Sequence, residues 1–167
     1  MNNQILLTIT GQYQFNLVNI LSEKTHALEG KWLNSKINHI DNMMAGLIKV
    51  ELDQLYLEIL INEIKQLGLN VSWEVISLVE PQQVKHFSVT IDAKDRLGLV
   101  RDISSVLNDY ELQVQNMECN RIGVPGIGET VFTSHFQIST AQHFEQDELL
   151  ISLQQISPDL VVDIKAS

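Results

Sequence analysis

His86–Ile122 reads HFSVTIDAKDRLGLVRDISSVLNDYELQVQNMECNRI, and Gln4–Ile40 reads QILLTITGQYQFNLVNILSEKTHALEGKWLNSKINHI. Laid on each other at an offset of 82 residues, the two stretches need no gap and agree at nine of 37 positions. The identical pairs are Thr8/Thr90, Ile9/Ile91, Leu17/Leu99, Val18/Val100, Ser22/Ser104, Glu29/Glu111, Asn34/Asn116, Asn38/Asn120 and Ile40/Ile122. Few identities gain weight because the order strand, loop, helix, strand superposes as well. A period this long points to a duplicated small domain, since solenoid repeats run to about 20–50 residues.

Working outward, each half repeats one plan. Ile5, Leu7 and Ile9 alternate with more polar positions, as a half-buried strand requires. A loop at Gly11–Gln14 precedes a helix expected from a cap at Asn16 to about Glu29, with Leu17, Leu21 and Leu28 on one face. Gly30 is expected to end it through positive φ. Trp32–Ile40 and Met44–Leu52 read as strands joined by the turn formers Asp41-Asn42. Asp53 is placed to cap a helix Gln54–Leu67, and Val71, Trp73, Val75, Ser77 and Val79 lie on one face of a closing strand. After the linker Pro81-Gln82-Gln83 come a strand with Phe87, Val89 and Ile91, and a helix Leu99–Tyr110. Strands at Gln113–Arg121 and around Phe132–Ile138 follow, joined by a glycine-rich loop Gly123–Gly128, then a helix Asp147–Ser157 closed by Pro158-Asp159, and a last strand with Leu160, Val162 and Ile164. Residues 1–80 and 86–167 are therefore each expected to fold as βαββαβ. The class is α+β: two ferredoxin-like domains, each an antiparallel four-stranded sheet with both helices on one face.

The chain has 167 residues, enough for two domains of about 80, a size at which a lone core is marginal. The halves are expected to bury surface against each other or against a second chain, which leaves a homo-oligomer open. A net charge of −10 and scattered basic residues argue against direct nucleic-acid binding, which needs a basic stripe, and against an anionic membrane surface. No run approaches the roughly 18 apolar residues of a membrane span. Met1–Gln4 lacks a basic region followed by an apolar stretch, so no secretory signal is expected. The single cysteine, Cys119, fits a reducing cytoplasm.

The segment Asp95-Arg96-Leu97-Gly98-Leu99-Val100 is the best candidate for chemistry. Glycine admits a close backbone approach, and the free N–H groups opening the next helix favour an anion such as a carboxylate. Asp95 would hold an ammonium group or cap the helix. Together these suit the two charged ends of an amino acid. On the plainer reading Asp95 only caps, Arg96 is solvated and Gly98 permits a turn.

The pattern Asp95-Arg96-x-Gly98-Leu99-Val100, then Ile103-Ser104 and Val106-Leu107, resembles the opening of an ACT domain, a small regulatory module. Trp32–Lys36 with Ala45-Gly46-Leu47, and Gly128–Phe136, resemble the two tandem ACT domains of the glycine cleavage system transcriptional repressor family. The resemblance implies a cytoplasmic, non-catalytic repressor that contacts a DNA-binding activator of the LysR type and takes glycine as its relieving signal. It also implies a small amino acid bound between the first loop and a strand of a neighbouring domain. Carried over, the site consists of Asp95, Arg96, Leu97 and Gly98, with Gln113 and Val114 where the family has Asn and an aliphatic residue. In the first half Tyr13, Gln14 and Asn16 replace the acid, arginine and glycine, so that domain carries a degenerate ligand loop. In the second half Leu97 stands for the usual proline and Gln113 for the usual asparagine.

His26, His39, His86, His135 and His143 show no close ligand spacing, and Cys119 has no nearby partner, so no metal is expected. The absence of a Gly-x-Ser-x-Gly, Walker or Rossmann pattern leaves no cofactor or catalytic signature. Trp32 and Trp73 read as packing residues or as lining of an interdomain face. Glu145, Asp147 and Glu148 suit the positive end of a helix. The alternative to a repressor is a regulatory subunit of an amino-acid metabolic enzyme, since ACT domains serve catalytic domains that this chain has no residues to supply.

Overall fold

The computed structural model describes residues 2–77, 83–126 and 128–166. The chain divides into two units, Met1–Val79 and Glu80–Ser167. Unit 1 runs β1 (Asn2–Gln12), α1 (Leu17–Ala27), β2 (Lys31–Ile40), β3 (Met43–Asp53), α2 (Gln54–Gln66) and β4 (Asn70–Val75). Unit 2 runs β5 (Lys85–Lys94), α3 (Leu99–Asp109), β6 (Gln113–Val124), β7 (Glu129–Thr140), α4 (Gln146–Gln154) and β8 (Val161–Ala166). The sheets are antiparallel with orders β2-β3-β1-β4 and β6-β7-β5-β8, so both units are ferredoxin-like βαββαβ folds.

Alternation decides which face is covered. Ile5, Leu7 and Ile9 of β1 and Ile48, Val50 and Leu52 of β3 point into one core with Leu17 and Leu21 of α1 and Leu57, Leu60 and Ile64 of α2. In unit 2 the equivalents are Val89, Ile91, Phe132, Phe136 and Ile138 beneath Leu99, Ile103, Leu107, Leu149 and Leu153. Each of these side chains is at most 3% exposed, and burying one contributes about 1.5–3 kcal/mol.

The duplication extends into backbone detail. The bulges between Trp32 and Asn34 and between Val114 and Asn116 fall at equivalent places. So do the left-handed residues Asn16 (φ 61°) and Gly98 (φ 84°), and Glu29 (φ 58°) and Glu111 (φ 53°). The last pair corrects the expected stop of α1. The left-handed residue is Glu29, and Gly30 is needed for space, because a Cβ there would lie 2.7 Å from Thr25 Cγ2 and 2.9 Å from the Thr25 carbonyl oxygen. Asn16 holds the N-cap position of α1 without a side-chain cap, whereas Asp53 does cap α2, accepting from the Leu55 N–H at 3.0 Å.

Several ends differ from expectation for reasons of pairing. β4 ends at Val75, which faces Ile5 of β1, and the Ile76 N–H still donates to the Gln4 carbonyl at 2.9 Å. Val79 and Pro81-Gln82 lie outside the described residues. β6 runs past Arg121 to Val124, so Gly123 sits in a strand and the turn is shorter than the Gly123–Gly128 loop expected. α4 ends at Gln154, before Pro158. Trp32 packs against its core and donates from Nε1 to Thr25 Oγ1 at 3.1 Å, while Trp73 is 38% exposed.

Candidate functional site

The Asp95–Gly98 loop connects β5 to α3. The Asp95 N–H donates to the Thr130 carbonyl at 2.9 Å, which continues the β5–β7 pairing by one residue. Gly98 then takes the left-handed conformation at the N-cap of α3, and its carbonyl accepts the first helical bond from Asp102 N–H at 2.9 Å. A Cβ at Gly98 would meet nothing closer than Arg101 Nη2 at 3.5 Å, so the requirement for glycine here is one of φ and not of space.

The chain has three arginines, Arg96, Arg101 and Arg121, and all three gather at this loop. Arg96 donates to Asp102 Oδ2 at 2.8 Å, to its neighbour's carbonyl at Leu97 at 3.0 Å, and to the Ile156 carbonyl beyond α4 at 3.3 Å. Arg101 forks onto Asp102 Oδ1 with Nε at 3.0 Å and Nη2 at 2.8 Å. Hydrogen bonds from Arg101 first and Arg96 second hold the Asp102 carboxyl below the ordinary aspartate range. On the other side, Arg121 Nε donates to Asp95 Oδ1 at 2.9 Å, with its guanidinium 5.5 Å from the centre of the Phe132 ring. Nearby, Lys94 Nζ pairs with Glu129 at 2.5 Å, a hydrogen bond that pushes the lysine pKa up.

Asp95 is thus bound to Arg121 and does not cap α3; Gly98 holds that position. Arg96 bridges three acceptors, and Leu97 projects into solvent, 95% exposed. Gln113 and Val114 open β6, opposite Ser139 and Ile138, whereas Asp95 lies beside Thr130. Those positions are nine residues apart on β7, about 30 Å of strand, so unit 2 does not bring the two parts of the expected site together. It brings Arg101, Asp102 and Arg121 to the loop instead. Arg121 stands where the first half has His39, and the two face Phe132 and Met44 on the neighbouring strands.

Unit 1 keeps the frame of this loop and changes its chemistry. The Tyr13 N–H donates to the Asn42 carbonyl at 2.7 Å, as Asp95 does to Thr130. Gln14 Nε2 reaches the Leu67 carbonyl after α2 at 2.8 Å, as Arg96 reaches Ile156 after α4. Where unit 2 has the Asp95–Arg121 ion pair, unit 1 has Tyr13 stacked on His39 with ring centres 4.8 Å apart. Ile20 stands in place of Asp102 and Asn19 in place of Arg101.

No family model matches the chain, and no curated protein matches it. Solved structures do. An unknown protein from Galdieria sulphuraria superposes with a TM-score of 0.84 at 14% identity, covering 100% of this chain and 99% of that one. A second structure, with a TM-score of 0.69 at 11% identity, covers 100% of this chain and 98% of its own. That protein is described as a glycine cleavage system transcriptional repressor. The present chain shares its two-domain fold from end to end. At these identities the likeness is one of fold. No helix among the described residues is long and apolar enough to cross a membrane.

Proposed function

We propose that the protein is a non-enzymatic cytoplasmic regulator, a glycine cleavage system transcriptional repressor that works through protein contact. Its partner on this reading is a DNA-binding activator of the LysR type, and its signal is a small amino acid, glycine first. The observation that carries the ligand half is the convergence of every arginine in the chain on the glycine-capped start of α3. A ligand carboxylate would compete with Asp102 for Arg96 and Arg101 and meet the first N–H groups of α3. The ammonium would share Asp95 with Arg121, which takes one of its two oxygens. Gln113 and Val114, at the far end of the same sheet, join such a site only from another copy of unit 2. This reading therefore includes a homo-oligomer.

The charge supports contact with protein in preference to DNA. Unit 1 has eight acidic residues against five lysines, a net −3, and unit 2 has thirteen against six basic residues, a net −7. In a mobility-shift assay at low salt the purified protein is expected to leave both random and promoter DNA unshifted. A specific shift at nanomolar protein overturns the contact mechanism. Sedimentation with and without glycine tests the oligomer: a protein that binds glycine as a monomer removes Gln113 and Val114 from the site.

A further inference from the structure

Unit 1 contains an apolar cavity of about 180 Å³ between α1, β2 and the Tyr13 loop. Leu17, Leu21 and Met44, each at most 4% exposed, form its apolar interior, and Ile37 of β2 lines it too. Tyr13, Asn38 and His39 line it as well, with Tyr13 and His39 held face to face by their stack. Cavities of about 150 Å³ with such apolar walls accept a benzene-sized molecule.

Unit 2 carries a larger side chain at the matching register. Met44 faces Gly11 on one side and His39 on the other; Phe132 faces Ala93 and Arg121, which are Gly11 and His39 at the 82-residue offset, so Met44 and Phe132 hold the same place in their sheets. Phe132 is fully buried, so in unit 2 the chain supplies its own phenyl ring at this register. Unit 1 has the thinner Met44 there and Tyr13 and His39 above in place of an ion pair. The thioether of Met44 and the stacked rings all favour an aromatic guest, by sulfur–ring contact and by stacking. Asn38 and His39 offer a hydrogen bond to one polar group on it.

We infer that unit 1 binds a free small molecule bearing a single aromatic ring and one hydrogen-bonding group, held between α1 and β2 beside the Tyr13–His39 stack. This inference is independent of the amino-acid reading of the unit 2 loop. The test is a methyl-NMR titration of the full chain with benzyl alcohol. Saturable shifts are expected for Leu17, Val18, Leu21, Ile37 and Met44, and none for Leu99 or Ile103 of unit 2. Met44→Phe, which copies unit 2, is expected to weaken binding at least tenfold. Val18 is 50% exposed, so Val18→Trp obstructs the cavity from the solvent side without touching the core, and is expected to weaken binding similarly even if Met44→Phe disturbs the fold. Shifts that stay linear to millimolar probe, shifts equal in both units, or a Val18→Trp variant that binds like the parent overturn the inference.

Discussion

The β1–α1 loop of unit 1 and the β5–α3 loop of unit 2 have one backbone and two chemistries. Both start with the same N–H to carbonyl bond, both tie to the end of the second helix, and both enter the first helix through a left-handed residue. Side chains then part company: a Tyr13–His39 stack over an apolar cavity in one, and an Asp95–Arg121 pair with an Arg96–Asp102–Arg101 cluster in the other. The difference teaches that duplication preserved the turn geometry, which the fold needs, and left the side chains at its mouth open to change. At this mouth unit 1 leaves Tyr13, Phe15 and Val18 exposed, while unit 2 exposes Leu97 and carries all the arginine.

The shared frame is tested first by the core, where the largest effects lie. Ile9→Ala and Ile91→Ala remove equivalent, fully buried side chains. Each is expected to cost about 2–5 kcal/mol in urea unfolding. A cost confined to one of them would show that the two sheets do not share a packing plan.

The left-handed residues give the next effect. Gly98→Val places a β-branched residue at φ 84°, with an expected cost of about 1–3 kcal/mol and loss of amino-acid binding because the loop shifts. Asn16→Val, at φ 61°, is expected to cost less, since asparagine already departs from glycine's freedom, and to leave that binding intact. Unfolding curves beside calorimetry separate the two readouts.

Asp102 sharpens the comparison further, because unit 1 has no counterpart. Asp102→Asn frees Arg96 and Arg101, and amino-acid binding is expected to tighten several-fold. Its carboxyl is held below its ordinary value of 3.8, so its contribution to stability is present above that pH and is lost as the pH falls through the lower folded value. An acid titration is therefore expected to show a smaller loss in Asp102→Asn than in the parent. An identical loss would mean that the cluster adds nothing to folding.

The smallest effect belongs to Tyr13→Ala. It removes a half-exposed ring stack, with an expected cost of under about 1 kcal/mol, and leaves amino-acid affinity unchanged.

Period-two alternation and the offset between halves were enough to read the fold, because each sheet buries one face against its helices and so fixes which residues must be apolar. Strand ends were harder. Val79 continues the alternation of β4 in the sequence but lies outside the described residues, among which β4 pairs with β1 as far as Val75. Gly123 looked like loop, yet β6 and β7 extend together through it. At the site, Gly98 was readable because positive φ selects glycine. Arg101, Asp102 and Arg121 were not, since charged residues on a first helical turn and on an edge strand read as solvated until register brings them to one loop. Gln113 and Val114 came from resemblance, and the register sets them at the opposite end of their sheet.

Calorimetry of the full chain against glycine and a panel of small amino acids tests most directly whether the charged chemistry resides in unit 2 alone. The predicted result is one site per chain, lost in Gly98→Val and kept in Asn16→Val. Two sites per chain, no binding at millimolar ligand, or binding that survives Gly98→Val would contradict it.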